Sequence, residues 1–420
     1  MPAERPPHLA ADWGRLVANL LYLVHRMPYP PNKGDKVRSY HLLRHLAAKH
    51  RVFLGSFIDD PDDEAHVDAL RQWCADLHLA RLHPRSAKLQ SLPALLHDEP
   101  LTLRYYRDAG LADWVRQLAS RTRFDATVVF SSSMVQYADL LPDVPMLLDF
   151  VDVDSAKWTQ YADEHRWPMS WLYRREGERL LAYERSAAAR SVRSFLATEQ
   201  EAELFRRLAP ECAQRVEAIC NGVDAEHFAP DAARPSPFQA DTVPLVFTGA
   251  MDYWPNIDAV TWFAHDVLPV LTRRWPAVCF VIVGRNPSTA VQALANAQVV
   301  VTGTVPDVRP YLQHAAIVVA PLRLARGIQN KVLEAMAMAR PVVASVACAG
   351  PIEAVEGSEL LTASTAAGLA EQIAALLDGP KRALAVGRAA RERVVRHFSW
   401  AAQLAAIDRH LKSVSQRVAA

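Results

Sequence analysis

Val319-Ala320-Pro321-Leu322-Arg323-Leu324-Ala325-Arg326-Gly327-Ile328-Gln329-Asn330-Lys331-Val332-Leu333-Glu334-Ala335-Met336 opens as a buried strand, passes through a loop whose only glycine is Gly327, and continues as a helix. Arg340-Pro341 stops that helix, and Val342-Val343-Ala344-Ser345 starts another apolar run. Strand, loop, helix, strand is the unit of a parallel sheet, whose ligands sit where strands end and helices begin. Amides at the start of such a helix, here those of Gly327 and Ile328, attract anions and phosphate above all. Lys331 places a cation just inside the helix, and Glu334 a carboxylate one turn later. A cation for phosphate and a carboxylate for vicinal hydroxyls suit a nucleoside diphosphate sugar. An ordinary α/β connection with solvated charges accounts for the same residue types.

Around this stretch lies a chain of 420 residues, longer than a single core usually grows, so two domains are expected. Half the residues are hydrophobic, 22% are charged and the net charge is +1, the profile of a soluble globular protein with no global field to draw in nucleic acid. Cys74, Cys212, Cys220, Cys279 and Cys348 are widely spaced with no C-x-x-C, which fits free thiols in a reducing cytoplasm. Leu16 to Val24 reads as a first buried strand rather than a signal peptide, and no apolar run is long enough to span a bilayer.

In the first half, strand signals fall at 19–24, 51–57, 126–130 and 145–154. The loop after the first strand holds Gly34, which permits close backbone approach, with Asp35, Lys36 and Arg38 beside it at the opening of a helix. Asp152 and Asp154 stand where the fourth run ends, and on extended backbone they point the same way. They suit a polar contact to an acceptor, a helix cap or, less readily, a divalent metal. The stretch from Trp167 to Arg193 reads as a long basic helix interleaved with aromatics, a pattern that suits an anionic lipid surface or a solvated face of Glu–Arg pairs. Residues 229–242 lack periodicity and read as a linker.

The second half restarts the pattern, with strands at 243–247, 278–283, 299–302, 317–320 and 342–345. The expected architecture is α/β, two doubly wound Rossmann-like domains facing across a cleft, at residues 1–235 and 240–397, with helix 398–420 crossing back to the first. G-x-G-x-x-G, Walker A and G-x-S-x-G are all missing, which argues against a dinucleotide oxidoreductase, a P-loop nucleotidase and an α/β-hydrolase.

At this point the chain resembles a family 4 glycosyltransferase of the GT-B fold over nearly its whole length. The resemblance is carried by the Gly34 loop, Asn221-Gly222-Val223-Asp224, Phe247-Thr248-Gly249, and Lys331-Val332-Leu333-Glu334-Ala335-Met336-Ala337 followed by Arg340-Pro341-Val342-Val343. More narrowly it is similar to sugar transferases associated with PEP-CTERM and exosortase exopolysaccharide systems. Lys33-Gly34-Asp35-Lys36-Val37-Arg38-Ser39, Asp152-Val153-Asp154-Ser155-Ala156-Lys157-Trp158 and Thr248-Gly249-Ala250-Met251-Asp252-Tyr253-Trp254-Pro255-Asn256 carry that closer likeness. The resemblance implies retaining transfer of a sugar from a nucleotide donor to a saccharide or polyprenyl-linked acceptor, without an essential metal or other cofactor. It also implies a cytoplasmic enzyme at the inner membrane surface, and no nucleic-acid partner.

Residue by residue, the resemblance implies that Glu334 holds the ribose hydroxyls while Lys331, with the amides of Gly327 and Ile328, stabilises the leaving diphosphate. Gly34 and Gly249 approach the donor, Arg285 and Val305 line the base pocket, and closure of the domains expels water. Asp35, Lys36, Arg38, Asp152 and Asp154 lie on the acceptor side, with Asp152 the best polar candidate for the chemistry.

Two departures from the family pattern bear on the donor. The family usually has a second glutamate eight residues before Glu334, where this chain has Arg326. An arginine suits a carboxylate or phosphate, pointing to an acidic donor sugar or a direct grip on the diphosphate. The basic pair after the second-domain glycine is replaced by Ala250 and Pro255-Asn256, which shifts phosphate charge onto Arg323, Arg326 and Lys331 and brings Asn256 to the donor. Two other readings remain open: a sugar-nucleotide 2-epimerase on the same fold, and a non-catalytic nucleotide-sugar-binding component of an export system.

Overall fold

A computed structural model describes residues 17–31, 34–325 and 328–419. The chain forms two compact units, one from residues up to Cys220 together with Leu404 onward, the other from Asn221–Gln403.

The first unit is built on seven strands: β1 (Asn19–Val24), β2 (Arg51–Ile58), β3 (Asp76–Arg81), β4 (Ala126–Phe130), β5 (Met146–Val151), β6 (Arg193–Leu196) and β7 (Val216–Ala218). Their order is β3-β2-β1-β4-β5-β6-β7, and every pair is parallel. The second unit carries β8 (Val243–Thr248), β9 (Val278–Val283), β10 (Val299–Gly303), β11 (Ile317–Ala320), β12 (Val342–Ser345) and β13 (Leu361–Ala363). These lie in the order β10-β9-β8-β11-β12-β13, again all parallel. Helices cover both faces of such sheets, so the central strands are largely apolar, and β11 and β12 are buried at every residue. In each sheet the order reverses once, between β1 and β4 and between β8 and β11. A crevice opens there outside the carboxyl ends, where doubly wound sheets bind ligands.

Two glycines set how closely the second unit packs. A side chain at Gly284, just past β9, would put its Cβ 1.6 Å from the carbonyl oxygen of Gly249, just past β8. At Gly387, in the helix Pro380–His397, a Cβ would lie 2.2 Å from the carbonyl of Ala339. The expected linker at 229–242 belongs to the second unit. Gln313 accepts from the amide of Asp231 at 2.9 Å and donates back to its carbonyl at 2.7 Å, and His314 Nε2 lies 2.8 Å from the Arg234 carbonyl. The last helix, Trp400–Ala419, starts in the second unit and ends in the first, where Asp408 lies 2.5 Å from Lys49 Nζ and 3.0 Å from His45 Nε2.

Helix α1 (Gly34–Ala47) follows the β1 loop and carries two charges into the interior. Lys36 lies 2.8 and 2.7 Å from the carboxylate oxygens of Asp63, and Arg38 bonds Asp149 at 2.8 and 3.2 Å and the Ile219 carbonyl at 2.6 Å. Both side chains are 1% exposed, so the acceptor-side role expected for Lys36 and Arg38 gives way to a structural one. Breaking a buried pair leaves an uncompensated charge in the interior, which costs about 3–5 kcal/mol. Arg38→Met should lower unfolding free energy by roughly that amount in urea titrations, and adding Asp149→Leu should recover part of it. A single variant as stable as the parent would show that the pair is not what holds α1 to β5.

Candidate functional site

Helix α2 (Asn330–Ala337) leaves the carboxyl end of β11 beside the crevice between β8 and β11. Val332, Leu333, Ala335, Met336 and Ala337 are buried against the sheet. That packing leaves Lys331 and Glu334, three residues apart, on the partly exposed stripe. Gln329, at the N-cap position, makes no side-chain cap, so the first-turn amides are not satisfied in that way.

The Lys331 ammonium lies 2.5 Å from Asn256 Oδ1 and 4.3 Å from the centre of the Phe247 ring, a cation–π contact with a buried strand residue. Asn256 is itself fixed, its amide donating to the Ala250 carbonyl at 2.9 Å. A Cβ at Gly249 would come within 2.8 Å of the Asn256 amide and 3.0 Å of the ammonium, so a larger residue there would displace both side chains from these positions. The hydroxyl of Thr248, last residue of β8, is buried without a hydrogen-bond partner among the described residues. The expected donor residues Gly249, Asn256, Lys331 and Glu334 therefore stand at one place, the switch point of the second sheet. Burial pulls the Lys331 ammonium down to about 8, against the opposing influence of Cys348 and Glu334. Burial also pushes the Glu334 carboxyl up to about 7, with Lys331 opposing.

Arg285 and Val305 follow β9 and β10 at the same edge. Arg285 is exposed, and its loop is tied to the Gly249 loop by Met251 N to the Arg285 carbonyl at 2.8 Å and by Asn286 to Asp252 at 3.0 Å. Val305 and Ile328 are partly buried against the core. Arg323, expected at the phosphate, turns instead to Asp258 at 3.0 Å and stacks on Trp262, with more than half its side chain in solvent. Arg326 and Gly327 lie outside the described residues.

In the first unit Asp35 is partly buried between Arg26, 3.0 Å away, and His25 Nε2, 3.6 Å away, while Arg26 also meets Asp59 at 2.9 Å. Burial would raise the Asp35 carboxyl, but His25 and Arg26 outweigh it and hold it well below the usual range. His25 stacks on Phe130 at the end of β4, so this cluster bridges the β1–β4 crevice. Sequence reasoning passed over His25, Arg26 and Asp59; their position directly after β1 and β2 was the available signal. Gly34 opens α1 close by. Asp152 and Asp154 do come together, but not through strand alternation. The strand ends at Val151, whose φ is +70°, and Asp154 begins a helix. Lys157 joins the pair, 2.8 Å from Asp152 and 3.1 Å from Asp154, which already supplies the cation two carboxylates would seek. Among the described residues no cluster of His, Cys, Asp or Glu is arranged to hold a metal.

Residues 243–379 match the family model for glycosyl transferases group 1. The match opens on the first residue of β8 and closes at Gly379, taking in Gly249, Asn256, Lys331 and Glu334. No curated protein matches the chain. Among solved structures, HepE of Anabaena in complex with UDP is similar at 15% identity and a TM-score of 0.62, over 94% of this chain and 100% of that one. Sucrose-phosphate synthase of Thermosynechococcus elongatus gives 17% and 0.60 over 94% and 99%. A glycosyltransferase of Rickettsia africae gives 12% and 0.61 over 95% and 98%. At these identities the structures speak for the fold, which is GT-B, with two Rossmann-like units. The family model likens the second unit, over residues 243–379, to glycosyl transferases group 1.

The two shifted groups fix how stability depends on pH. Glu334 keeps its proton in the folded chain to about pH 7, against 4.5 ordinarily, so the folded state binds more protons in that window and stability falls as pH rises through it. Lys331 releases its proton near 8 when folded, against 10.5 ordinarily, so stability rises with pH across that window. The pair is therefore least favourable between about pH 7 and 8. Glu334→Gln should raise Tm by a few degrees at pH 7.5 and by less at pH 5, measured by calorimetry at both values. A variant that melts below the parent at pH 7.5 would contradict this.

Proposed function

We propose that this chain is a retaining glycosyltransferase that moves a sugar from a nucleotide donor to a saccharide or polyprenyl-linked acceptor during exopolysaccharide assembly. It works at the cytoplasmic face of the inner membrane. The observation that carries the reading is the convergence of Gly249, Asn256 and Lys331 at the switch point of the second sheet, with Glu334 one turn along α2.

In this reading the donor diphosphate lies against the amino end of α2 and draws Lys331 away from Asn256. The bond between the anomeric carbon and the diphosphate oxygen breaks as the acceptor oxygen bonds that carbon on the same face. Charge develops on the departing phosphate, where Lys331 and the first-turn amides neutralise it. The acceptor proton passes to that phosphate oxygen, so neither a separate protein base nor a metal is required. Glu334 accepts hydrogen bonds from the ribose hydroxyls, and a bound diphosphate beside Lys331 returns its ammonium to the fully charged form. Arg285 and Val305 border the base. Asp35 with His25, and Asp152 with Asp154, serve the acceptor side. Arg326 favours a donor rich in negative charge.

UDP-glucose is the first donor to try, with UDP as the matching leaving nucleotide, since HepE is solved with both. A ligand that binds only the folded state raises Tm by mass action. A panel of nucleotide sugars should give one clear rise, lost in Lys331→Ala, whose transfer rate should fall by about 100-fold or more. Product analysis with membrane extract separates transfer from donor isomerisation or simple binding. If no nucleotide sugar shifts the melt, or Lys331→Ala binds and turns over as the parent does, the reading fails. Arg326→Glu should change which donor gives the largest shift; unchanged donor preference and activity would remove Arg326 from the site.

A further inference from the structure

In the basic helix of the first unit, Met169–Arg190, several arginines are engaged by partners outside the helix. The relevant elements are α3 (Pro84–Ser91), α4 (Asp154–Glu164) and α5 (Met169–Arg190). Along α5, Arg175 donates to the carbonyls of Ala94 at 2.6 Å and His97 at 2.5 Å, and Arg179 meets Asp98 at 2.6 Å. Arg185 meets Glu211 at 2.7 Å and Arg190 meets Asp139 at 2.9 Å. These bonds tie the helix down, and they also draw the segment after α3 alongside its amino-terminal half.

That juxtaposition assembles an apolar face. Leu96, between the two carbonyls that Arg175 holds, is 85% exposed, and Trp171, one turn before Arg175, is 54% exposed. Trp167 at 81%, Met169, Leu89 and Leu92 continue the exposed set. Isolated exposed apolar side chains are ordinary, but six large ones in two segments that Arg175 ties together, 89–96 and 167–171, point to an interaction surface. Basic residues adjoin these side chains along the chain. Arg85 and Lys88 on α3 and Arg166 before α5 are exposed and have no ion-pair partner among the described residues, whereas Asp98 and Asp163 are paired with Arg179 and Arg174.

Helix α5 has 22 residues, about 33 Å at the usual rise, while β5 with 6 residues spans about 20 Å. Since α5 ends at Arg190 just before β6 begins at Arg193, its amino end overshoots the carboxyl edge of the sheet. The helix α4 runs back against it, so closely that a Cβ at Gly177 would sit 2.6 Å from Thr159 Oγ1. Trp158 and Tyr173 meet between the two helices with ring centres 5.4 Å apart and planes tilted by 37°. The α4–α5 hairpin is thus a stiff projection tipped with aromatics.

We propose that this face seats the chain on an anionic membrane surface, with Trp167, Trp171, Leu89, Leu92 and Leu96 entering the headgroup–acyl boundary and Arg85, Lys88 and Arg166 meeting lipid phosphates. Aromatic rings that are apolar at one end and polar at the other favour that boundary, and unpaired cations add attraction to anionic lipid. No helix among the described residues is long and apolar enough to cross a membrane, so the contact is peripheral. It is independent of the donor site and is read without any nucleotide sugar.

Flotation of the purified full chain tests it, with vesicles of phosphatidylcholine alone and of phosphatidylcholine mixed with phosphatidylglycerol. The parent should float with the mixed vesicles and at least tenfold less with the neutral ones. Leu96→Ser with Trp171→Ser should lose at least tenfold of the binding. Arg85→Glu with Lys88→Glu and Arg166→Glu should abolish the preference for anionic lipid. Leu384→Ser, an exposed apolar residue of the second unit, should change nothing. All these side chains are exposed, and melting curves matching the parent's confirm that each variant is folded. Failure to float with either vesicle overturns the proposal, as does binding indifferent to Leu96 and Trp171. A parent that is dimeric by light scattering, and monomeric once Leu96 and Trp171 are changed, overturns it too by assigning the face to a second copy.

Discussion

An ammonium held where water hydrates it poorly is the constraint around which the second unit is arranged. Lys331 is fixed by the Asn256 carbonyl oxygen and the Phe247 ring, partners that stabilise a cation without neutralising it. Keeping it charged there is unfavourable, as its lowered pKa states directly. Glu334 carries the opposite charge under the same burden. Two poorly solvated charges of opposite sign, side by side but not paired within hydrogen-bonding distance among the contacts described, make a site that a ligand can improve. Sites that bind well commonly give up some stability of the empty protein in this way.

The first unit repeats the topology with a different electrostatic choice. Its crevice is bordered by His25, Arg26, Asp35 and Asp59, which satisfy one another, and its buried cations Lys36 and Arg38 have carboxylate partners in hand. Such a surface has little reason to attract a polyanion. The second unit instead presents a cation, Lys331, whose described partners carry no formal charge. Two sheets of the same winding thus differ in which charges they leave compensated.

Much of this was legible in the sequence wherever one signal decided the outcome. The strands of the second unit are continuous apolar runs, because both faces are buried, and the helix after β11 follows from its spacing. The strand β3, Asp76–Arg81, was missed because it alternates apolar with polar residues at an edge and resembles a loop. β13 has only three residues, too few for a pattern. Charged residues near glycine loops were the harder problem. Lys36, Arg38, Arg323 and Lys331 look alike in one dimension, and what separates them is a partner far away in the chain: Asp63, Asp149 and Asp258 for the first three, an amide oxygen and a ring for the last. Spacing reports which face a side chain is on; it says nothing of whether a counter-ion is waiting there.

The contact between Gly284 and the Gly249 carbonyl has a consequence for how the binding edge can diversify. Any side chain at 284 collides with main chain, which cannot swing aside as a rotamer can, so this floor is closed to substitution. A library of variants at this edge would waste its members there. Variation tolerated by the architecture is confined to the walls, at exposed Arg285 and the loop leading to α2, while the floor passes unchanged from parent to descendant.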